Sequence, residues 1–266
     1  MQIIAVDIGN SAIKLLAGED HLRLPYPSDG SPADFAEALA KYTSSLDGPV
    51  CWAVVSVNEP QCRQLQDWIK QNRSQDRFEI ITRNQVPLNV IDSYRSSVGI
   101  DRLVAAQAAV SLEETTEALI IIDAGTAVTI DVVSAQSADQ ERQFEGGLIF
   151  PGVAASLSVL NSATADLPDV ALSAASIEES DTVDGIVGTQ TDMAIANGAV
   201  LAQAHAAAGI VEALKKRLPE ARVWITGGGS ESICSVLPTA ATKGWHVAPQ
   251  LVLRGAAMIG RQLDQE

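Results

Sequence analysis

The sequence predicts an α/β fold made of two similar halves, and three observations carry that expectation. The first is a repeat: Ile3-Ile4-Ala5-Val6-Asp7-Ile8-Gly9-Asn10-Ser11 returns as Leu119-Ile120-Ile121-Ile122-Asp123-Ala124-Gly125-Thr126-Ala127. The second is the alternation of short apolar runs with longer amphipathic segments along both halves. The third is size: 266 residues, 47% hydrophobic and 19% charged, supply the core of one large or two compact domains. The repeat divides the chain into 1–117 and 118–266, with a cleft expected between the halves.

Each copy of the repeat is an apolar strand run into Asp-x-Gly. β-type residues then return, as Ala12-Ile13-Lys14-Leu15-Leu16 and Val128-Thr129-Ile130-Asp131-Val132-Val133, so both copies read as β-hairpins and not as strand-to-helix phosphate loops. In the first half there follow a helix from about Pro32 to Thr43, a buried strand Val50 to Val57, a helix Pro60 to Asn72 and a strand Phe78 to Thr82. Residues Arg83 to Gly99 lack a period and read as a long loop feeding a helix from Ile100 to Leu112. In the second half, Phe144-Glu145-Gly146-Gly147-Leu148-Ile149-Phe150-Pro151-Gly152 precedes a helix near Val153 to Leu160. A stretch from Asn161 to Gly188, rich in Ala, Ser and Asp, reads as mobile. An alanine-rich helix from about Thr191 to Arg217, the strand Val223 to Thr226, the turn Gly227-Gly228-Gly229 and a helix from about Leu253 to Leu263 complete the chain.

Eighteen basic against 33 acidic residues leave a net charge of −15. Such a surface repels phosphate backbones and anionic membranes, so neither nucleic acid nor a membrane is an expected partner. Cys51, Cys62 and Cys234 form no C-x-x-C pair and read as reduced thiols. The N-terminus lacks the basic start and apolar run of a secretory signal, and no stretch is read as reaching the ~18 apolar residues of a membrane span. The expected location is cytoplasmic.

Two Asp-x-Gly turns suit nucleotide phosphates, because glycine lets backbone N–H groups approach the oxygens while the aspartates attract a cation. Asn10, Ser11 and Thr126 extend that cradle. One copy alone would favour an ordinary hairpin turn; two copies in register with buried strands reverse the balance. Thr226-Gly227-Gly228-Gly229-Ser230 is either a flexible turn or a bare surface for a purine and ribose. Asp101 is placed either to cap the helix that begins at Ile100 or to act chemically, and spacing alone favours the cap. Arg102 can fork onto a carboxylate or phosphate, although an exposed salt bridge is the commoner fate of an arginine. His21, His205 and His246 are scattered without a partner at ligand spacing. Trp52, Trp68, Trp224 and Trp245 read as packing residues, and Glu178-Glu179-Ser180-Asp181 as a solvated loop.

Six pieces in order, Asp7-Ile8-Gly9-Asn10-Ser11, Gly99-Ile100-Asp101-Arg102, Asp123-Ala124-Gly125-Thr126-Ala127, Gly146 to Gly152, Gly188-Thr189-Gln190-Thr191 and Thr226-Gly227-Gly228, give the chain a further meaning. Over nearly its whole length it resembles the actin, sugar kinase and heat-shock ATPase superfamily, and within it the type III pantothenate kinases. The resemblance implies two ribonuclease H-like (actin-like ATPase) domains with an interdomain nucleotide cleft. It also implies ATP-dependent phosphorylation of pantothenate to 4′-phosphopantothenate at the start of coenzyme A synthesis.

By the same resemblance ATP is bound by Asp7, Ile8, Gly9, Asn10, Ser11, Ala12, Ile13, Lys14 and Thr126, with Gly227 and Gly228 as further nucleotide contacts. Pantothenate is bound by Tyr94, Gly99, Ile100, Asp101, Arg102 and Thr191, with Asp101 as proton acceptor. Asp123 binds a monovalent cation, K+ or NH4+, while Mg2+ accompanies ATP near Asp7. The implied assembly is a homodimer whose pantothenate pockets draw on both subunits. A carboxylate suits the acceptor role, since phosphoryl transfer is mostly positioning and charge stabilisation, and a group of ordinary pKa, about 4, can take the proton late.

Two departures from the family pattern stand out. Tyr94 lies five positions before Gly99, where the family's tyrosine usually lies about seven before, and the proline common between them is absent. Gln190 stands where Asn or Ser is common. Two other readings stay open at this point: a non-catalytic accessory or regulatory relative that keeps the nucleotide cleft, and a phosphohydrolase using water.

Overall fold

A computed structural model of the protein describes residues 1–26, 33–171 and 186–265. The chain divides into two compact units, Met1–Glu114 with Gln250–Glu266, and Thr115–Pro249.

The first unit is built on β1 (Gln2–Ile8), β2 (Ala12–Ala17), β3 (Asp20–Pro25), β4 (Val50–Ser56) and β5 (Arg77–Ile80), in the sheet order β3-β2-β1-β4-β5. β1 turns back antiparallel into β2 and runs parallel to β4 on its other side. Its run Ile3 to Ile8 is wholly buried, as a central strand covered on both faces requires. Successive side chains alternate between the faces. Ile4, Val6 and Ile8 join Leu39 of α1 (Ala33–Thr43) and Cys62, Leu65, Trp68 and Ile69 of α2 (Glu59–Asn72) in one core. α2 starts at Asn58, whose side-chain oxygen accepts the Gln61 N–H at 3.4 Å, with Pro60 in its first turn. Trp52 and Trp68 are core residues, as expected.

The long loop expected from Arg83 to Gly99 carries more structure than its composition announced. It contains a 3-10 turn (Arg83–Gln85), a short strand β6 (Asn89–Val90) and a one-turn helix α3 (Asp92–Arg95) before α4 (Ile100–Leu112). Elements this short give no readable period. β3 was also not anticipated; its alternately exposed and half-buried side chains give little apolar signal, and pairing with β2 organises it.

In the second unit β7 (Leu119–Ala124), β8 (Ala127–Val133), β9 (Gln143–Pro151), β10 (Arg222–Thr226) and β11 (Trp245–Val247) run in the order β11-β10-β7-β8-β9. β10 lies parallel to β7 with Thr226 beside Asp123, and β8 lies antiparallel to β7. α5 (Val153–Ala163), α6 (Thr191–Lys215), α7 (Ser230–Val236) and α8 (Thr239–Thr242) belong to the same unit. Ala204, Ala207 and Val211 of α6 join Ile120, Ile122, Val128, Ile130 and Ile225 in its core.

α6 corrects one sequence expectation, because its 25 residues are long and apolar enough to cross a membrane by length and composition alone. The apolar character is used here on a packed face, where Ala204, Ala207 and Val211 are buried in the core of the unit. Half of the stretch expected to be mobile from Asn161 to Gly188, residues 172–185, lies outside the described residues, and its first three residues belong to α5. Glu178-Glu179-Ser180-Asp181 also lies outside the described residues.

The C-terminal helix α9 (Leu251–Leu263) belongs to the first unit, not to the second half where the division at 117/118 put it. It packs on α4, β1 and β4, and its glycines explain the fit. A Cβ on Gly255 would come 2.4 Å from the Val104 carbonyl oxygen, and one on Gly260 would come 2.5 Å from the Ala53 Cβ. Each glycine costs about 1 kcal/mol of helix propensity, offset here by close packing. A chain ended after Pro249 loses the cover over Ile3, Ala53 and Val104, and should show no cooperative thermal transition of the first unit by circular dichroism. A truncated chain that melts like the full one would contradict this assignment.

Candidate active site

In the first unit the β1–β2 register sets Asp7 opposite Lys14, and their side chains pair at 2.9 Å with Asp7 only 6% exposed. The connecting turn closes when the Gly9 N–H donates to the Ala12 carbonyl at 3.1 Å, which leaves Asn10 and Ser11 exposed at its tip. Ile8, Ala12 and Ile13 are buried, so they hold the turn from below through packing. Tyr26 was missed by sequence reasoning. Its hydroxyl donates to the Gly9 carbonyl at 3.0 Å and its backbone N–H to the Ser11 carbonyl at 3.1 Å. It lies past the unforeseen β3, and no local pattern marks it.

The second cluster of the first unit forms at the start of α4. Gly99 is the N-cap residue and supplies no side-chain cap. Asp101, in the first turn, accepts the Arg102 backbone N–H at 2.9 Å, so the capping alternative is partly realised. A Cβ on Gly99 would lie 2.5 Å from Asp101 Oδ1, so the glycine leaves room for that carboxylate. Burial raises the Asp101 pKa above the usual carboxylate value. The Arg102 N–H and guanidinium act against this, and the negative charge of Asp7 adds to it. Asp7 and Asp101 therefore sense one another within this unit.

Arg102 is 7% exposed, and its Nη1 donates to the Tyr94 hydroxyl at 2.6 Å. Its guanidinium carbon lies 5.7 Å from the Tyr94 ring centre. The shorter spacing before Gly99 therefore still brings Tyr94 against Arg102, because α3 and the bend after it turn the chain back. Arg83 Nε donates to the Val98 carbonyl at 2.6 Å, tying this segment to the entrance of α4. Ile100 is buried beneath it.

The raised pKa gives a signed expectation. If Asp101 accepts a proton in the reaction, kcat/KM falls as pH drops through its pKa, and the midpoint of that acid limb lies above the ordinary value of about 4. A pH–rate profile checks this, and an acid limb at or below the ordinary carboxylate value would contradict it. The linkage runs the same way: a carboxylate whose folded-state pKa is raised contributes stability at low pH and loses it as pH rises through the folded pKa.

In the second unit Asp123 lies next to the last residue of β7, and the Gly125 N–H closes the turn onto the Ala127 carbonyl at 3.0 Å. Two further segments converge on this turn. The Gly152 N–H donates to the Thr126 carbonyl and the Gly229 N–H to the Ala124 carbonyl, both at 2.9 Å. Gly227 has φ +88, and a Cβ there would come 2.5 Å from both the Ala124 carbonyl oxygen and Asp123 Oδ1. The glycine-rich turn is thus locked against the Asp-x-Gly turn, with Gly227 lying on the Asp123 carboxylate. Thr191 opens α6 and is exposed, with Gln190 as its N-cap residue in extended conformation.

Among the described residues no three His, Cys, Asp or Glu side chains gather as a metal cage. The donor set fits cations held in another way. Mg2+ usually arrives with nucleotide phosphates and needs only one or two carboxylates, and the Asp123 carboxylate beside bare glycine backbone is a hard oxygen donor of the kind a monovalent cation takes.

Two solved structures define the class of the fold. The chain is similar to an archaeal actin homolog, at 10% identity and a TM-score of 0.52, over 98% of this chain and 100% of that one. It is also similar to a putative 2-dehydro-3-deoxygalactonokinase protein from Sinorhizobium meliloti, at 12% identity and a TM-score of 0.51, over 98% and 96% of the two chains. This is the actin-like ATPase and sugar kinase fold.

The sequence profile of the type III pantothenate kinases matches residues 3–213. Type III pantothenate kinases from Desulfovibrio desulfuricans and Halorhodospira halophila are 32% and 30% identical to it, covering 96% and 95% of this chain and 94% and 95% of their own lengths. The chain belongs to the type III pantothenate kinase family.

Proposed function

We infer that this chain transfers the γ-phosphoryl group of ATP to the primary hydroxyl of pantothenate, giving 4′-phosphopantothenate and ADP in the first step of coenzyme A synthesis. The observation that carries the reading is the Asp101 cluster: in a member of this family, a half-buried carboxylate of raised pKa stands beside Arg102, with Tyr94 on the guanidinium and Gly99 leaving it room.

In this reading the turn from Asp7 to Lys14 takes the nucleotide phosphates through exposed Asn10 and Ser11, and the Lys14 ammonium balances phosphate charge. Thr126, Gly227 and Gly228 add nucleotide contacts from the second unit, the glycines offering backbone without side chains. Mg2+ bound with ATP near Asp7 would neutralise charge on the phosphate oxygens. K+ or NH4+ at Asp123 would do the same more weakly.

Arg102 holds the pantothenate carboxylate or the product phosphate, oriented by Tyr94, with the Gly99–Ile100 backbone beside it, and Thr191 is a further pantothenate contact implied by the family resemblance. Asp101 accepts a hydrogen bond from the pantothenate hydroxyl. As the bond from that oxygen to the γ-phosphorus forms, the bond to the β–γ bridging oxygen breaks, the proton passes to Asp101 and ADP leaves.

The chain acts as a cytoplasmic homodimer. Exposed apolar side chains at Leu148 and Ile149 on β9 and at Val159 and Leu160 on α5 support association, since they are of the kind an interface covers. Purified protein with ATP and Mg2+ should release ADP only when pantothenate is present, and exchange of potassium for sodium should slow that release. Equal release without pantothenate would overturn the kinase reading.

A further inference from the structure

We propose that Tyr26 is a positioning residue that aims the backbone N–H of Asn10 out of the β1–β2 turn as a donor for a nucleotide phosphate. The proposal rests on the reading that this turn binds ATP. The ladder between β2 and β3 pairs Ala12 with Pro25, so the next residue, Tyr26, arrives opposite Ser11 at the tip of the turn. There it holds the turn at two points, the backbone N–H on the Ser11 carbonyl and the hydroxyl on the Gly9 carbonyl. The Tyr26 ring also packs against the buried core of the unit, which fixes the hydroxyl in place.

Peptide geometry supplies the consequence. In a trans peptide the carbonyl of one residue and the N–H of the next point in opposite directions. With the Gly9 carbonyl bound to Tyr26, the Asn10 N–H points away from the tyrosine, and it has no acceptor among the described residues. The Gly9 N–H is already engaged with Ala12. Glycine at position 9 makes rotation of the Gly9–Asn10 peptide cheap, and a rotated peptide would present a carbonyl oxygen to the phosphate in place of an N–H. The tyrosine hydroxyl removes that alternative. Burial and the charge of Asp7 raise the Tyr26 pKa, so the hydroxyl stays a donor throughout the working pH range.

The test compares ATP binding by calorimetry, in the presence of Mg2+, for wild type, Tyr26→Phe and Tyr42→Phe. Tyr42 is the control: its hydroxyl donates to the Asp20 carbonyl at 3.0 Å in the same sheet but away from the turn. Tyr26→Phe should weaken ATP binding and raise the KM for ATP roughly three- to tenfold, the worth of one hydrogen bond. The pantothenate KM and kcat should stay near wild type, the melting temperature should fall only slightly in both variants, each having lost one hydrogen bond, and Tyr42→Phe should leave the ATP affinity unchanged. Unchanged ATP affinity in Tyr26→Phe, or equal weakening by both variants, overturns the proposal.

Wild type that fails to bind ATP at all would instead overturn the nucleotide reading, and with it this role. If Tyr26→Phe does not fold, amide hydrogen exchange on wild type decides: the Asn10 N–H should gain protection on ATP addition, and an unprotected amide contradicts the assignment.

Discussion

Replacing Asp101 with Asn should lower kcat for pantothenate phosphorylation by about 10²- to 10⁴-fold, the range for loss of a positioned general base. The substitution keeps the shape of the side chain. Asparagine still offers an oxygen to the Arg102 N–H, which Asp101 accepts at 2.9 Å, so the first turn of α4 should stay intact. What it removes is the ability to take the hydroxyl proton. ATP affinity should not fall, because Asp101 lies outside the Asp7 to Lys14 turn and its removal takes away a negative charge that the Asp7 carboxylate senses.

Burial and Asp7 raise the Asp101 pKa, so the ionised carboxylate costs stability at neutral pH, and the neutral amide should melt no lower than wild type. Loss of turnover without loss of melting temperature separates a base from a cap. A residue that served only as a helix cap would lose neither turnover nor stability in this variant, because asparagine caps as well as aspartate. The measurements are steady-state kinetics and a thermal melt on the same preparation.

The second large effect is on stability. Gly227→Ala should destabilise the second unit by about 2–4 kcal/mol, adding strain at a positive φ to overpacking against a neighbour. The new Cβ would meet the Ala124 carbonyl oxygen and Asp123 Oδ1, both at 2.5 Å. A backbone carbonyl of a central strand cannot yield as a flexible side-chain tip would. The turn must move away, which breaks the Gly229 N–H bond to the same carbonyl and displaces the Asp123 carboxylate. Nucleotide affinity and response to potassium should fall along with the melting temperature. Gly228→Ala is the comparison, since a Cβ there meets nothing within 4 Å, and it should be far milder in the melt. Equal melting of Gly227→Ala and wild type would contradict the packing described here.

Much of this was legible in the sequence because the signals are local. The runs Ile3 to Ile8 and Leu119 to Ala124, each ending in Asp-x-Gly and followed by β-type residues, dictate buried strands and tight hairpins. The helices from about Pro60, Ile100 and Thr191 carry their own start signals. What the sequence hid depends on partners distant along the chain.

β3 is polar and exists through its pairing with β2. The allegiance of α9 is set by packing against Val104 and Ala53, and the clue was present as Gly255 and Gly260, two glycines inside a helical period. Tyr26 has no motif and gains its place from the β2–β3 register. In the candidate site, Asp101 and Arg102 are nominated by family resemblance, while spacing alone pointed to a cap for Asp101. The contact between Tyr94 and Arg102 needed the unforeseen turn of α3.

The most direct test of the central claim is the identity of the product. Pantothenate incubated with wild-type protein, ATP, Mg2+ and potassium should, by mass spectrometry, gain the mass of a single phosphoryl group in step with ADP formation, and Asp101→Asn should form that product about 10²- to 10⁴-fold more slowly. Unmodified pantothenate alongside ADP and inorganic phosphate would identify a hydrolase and contradict the account.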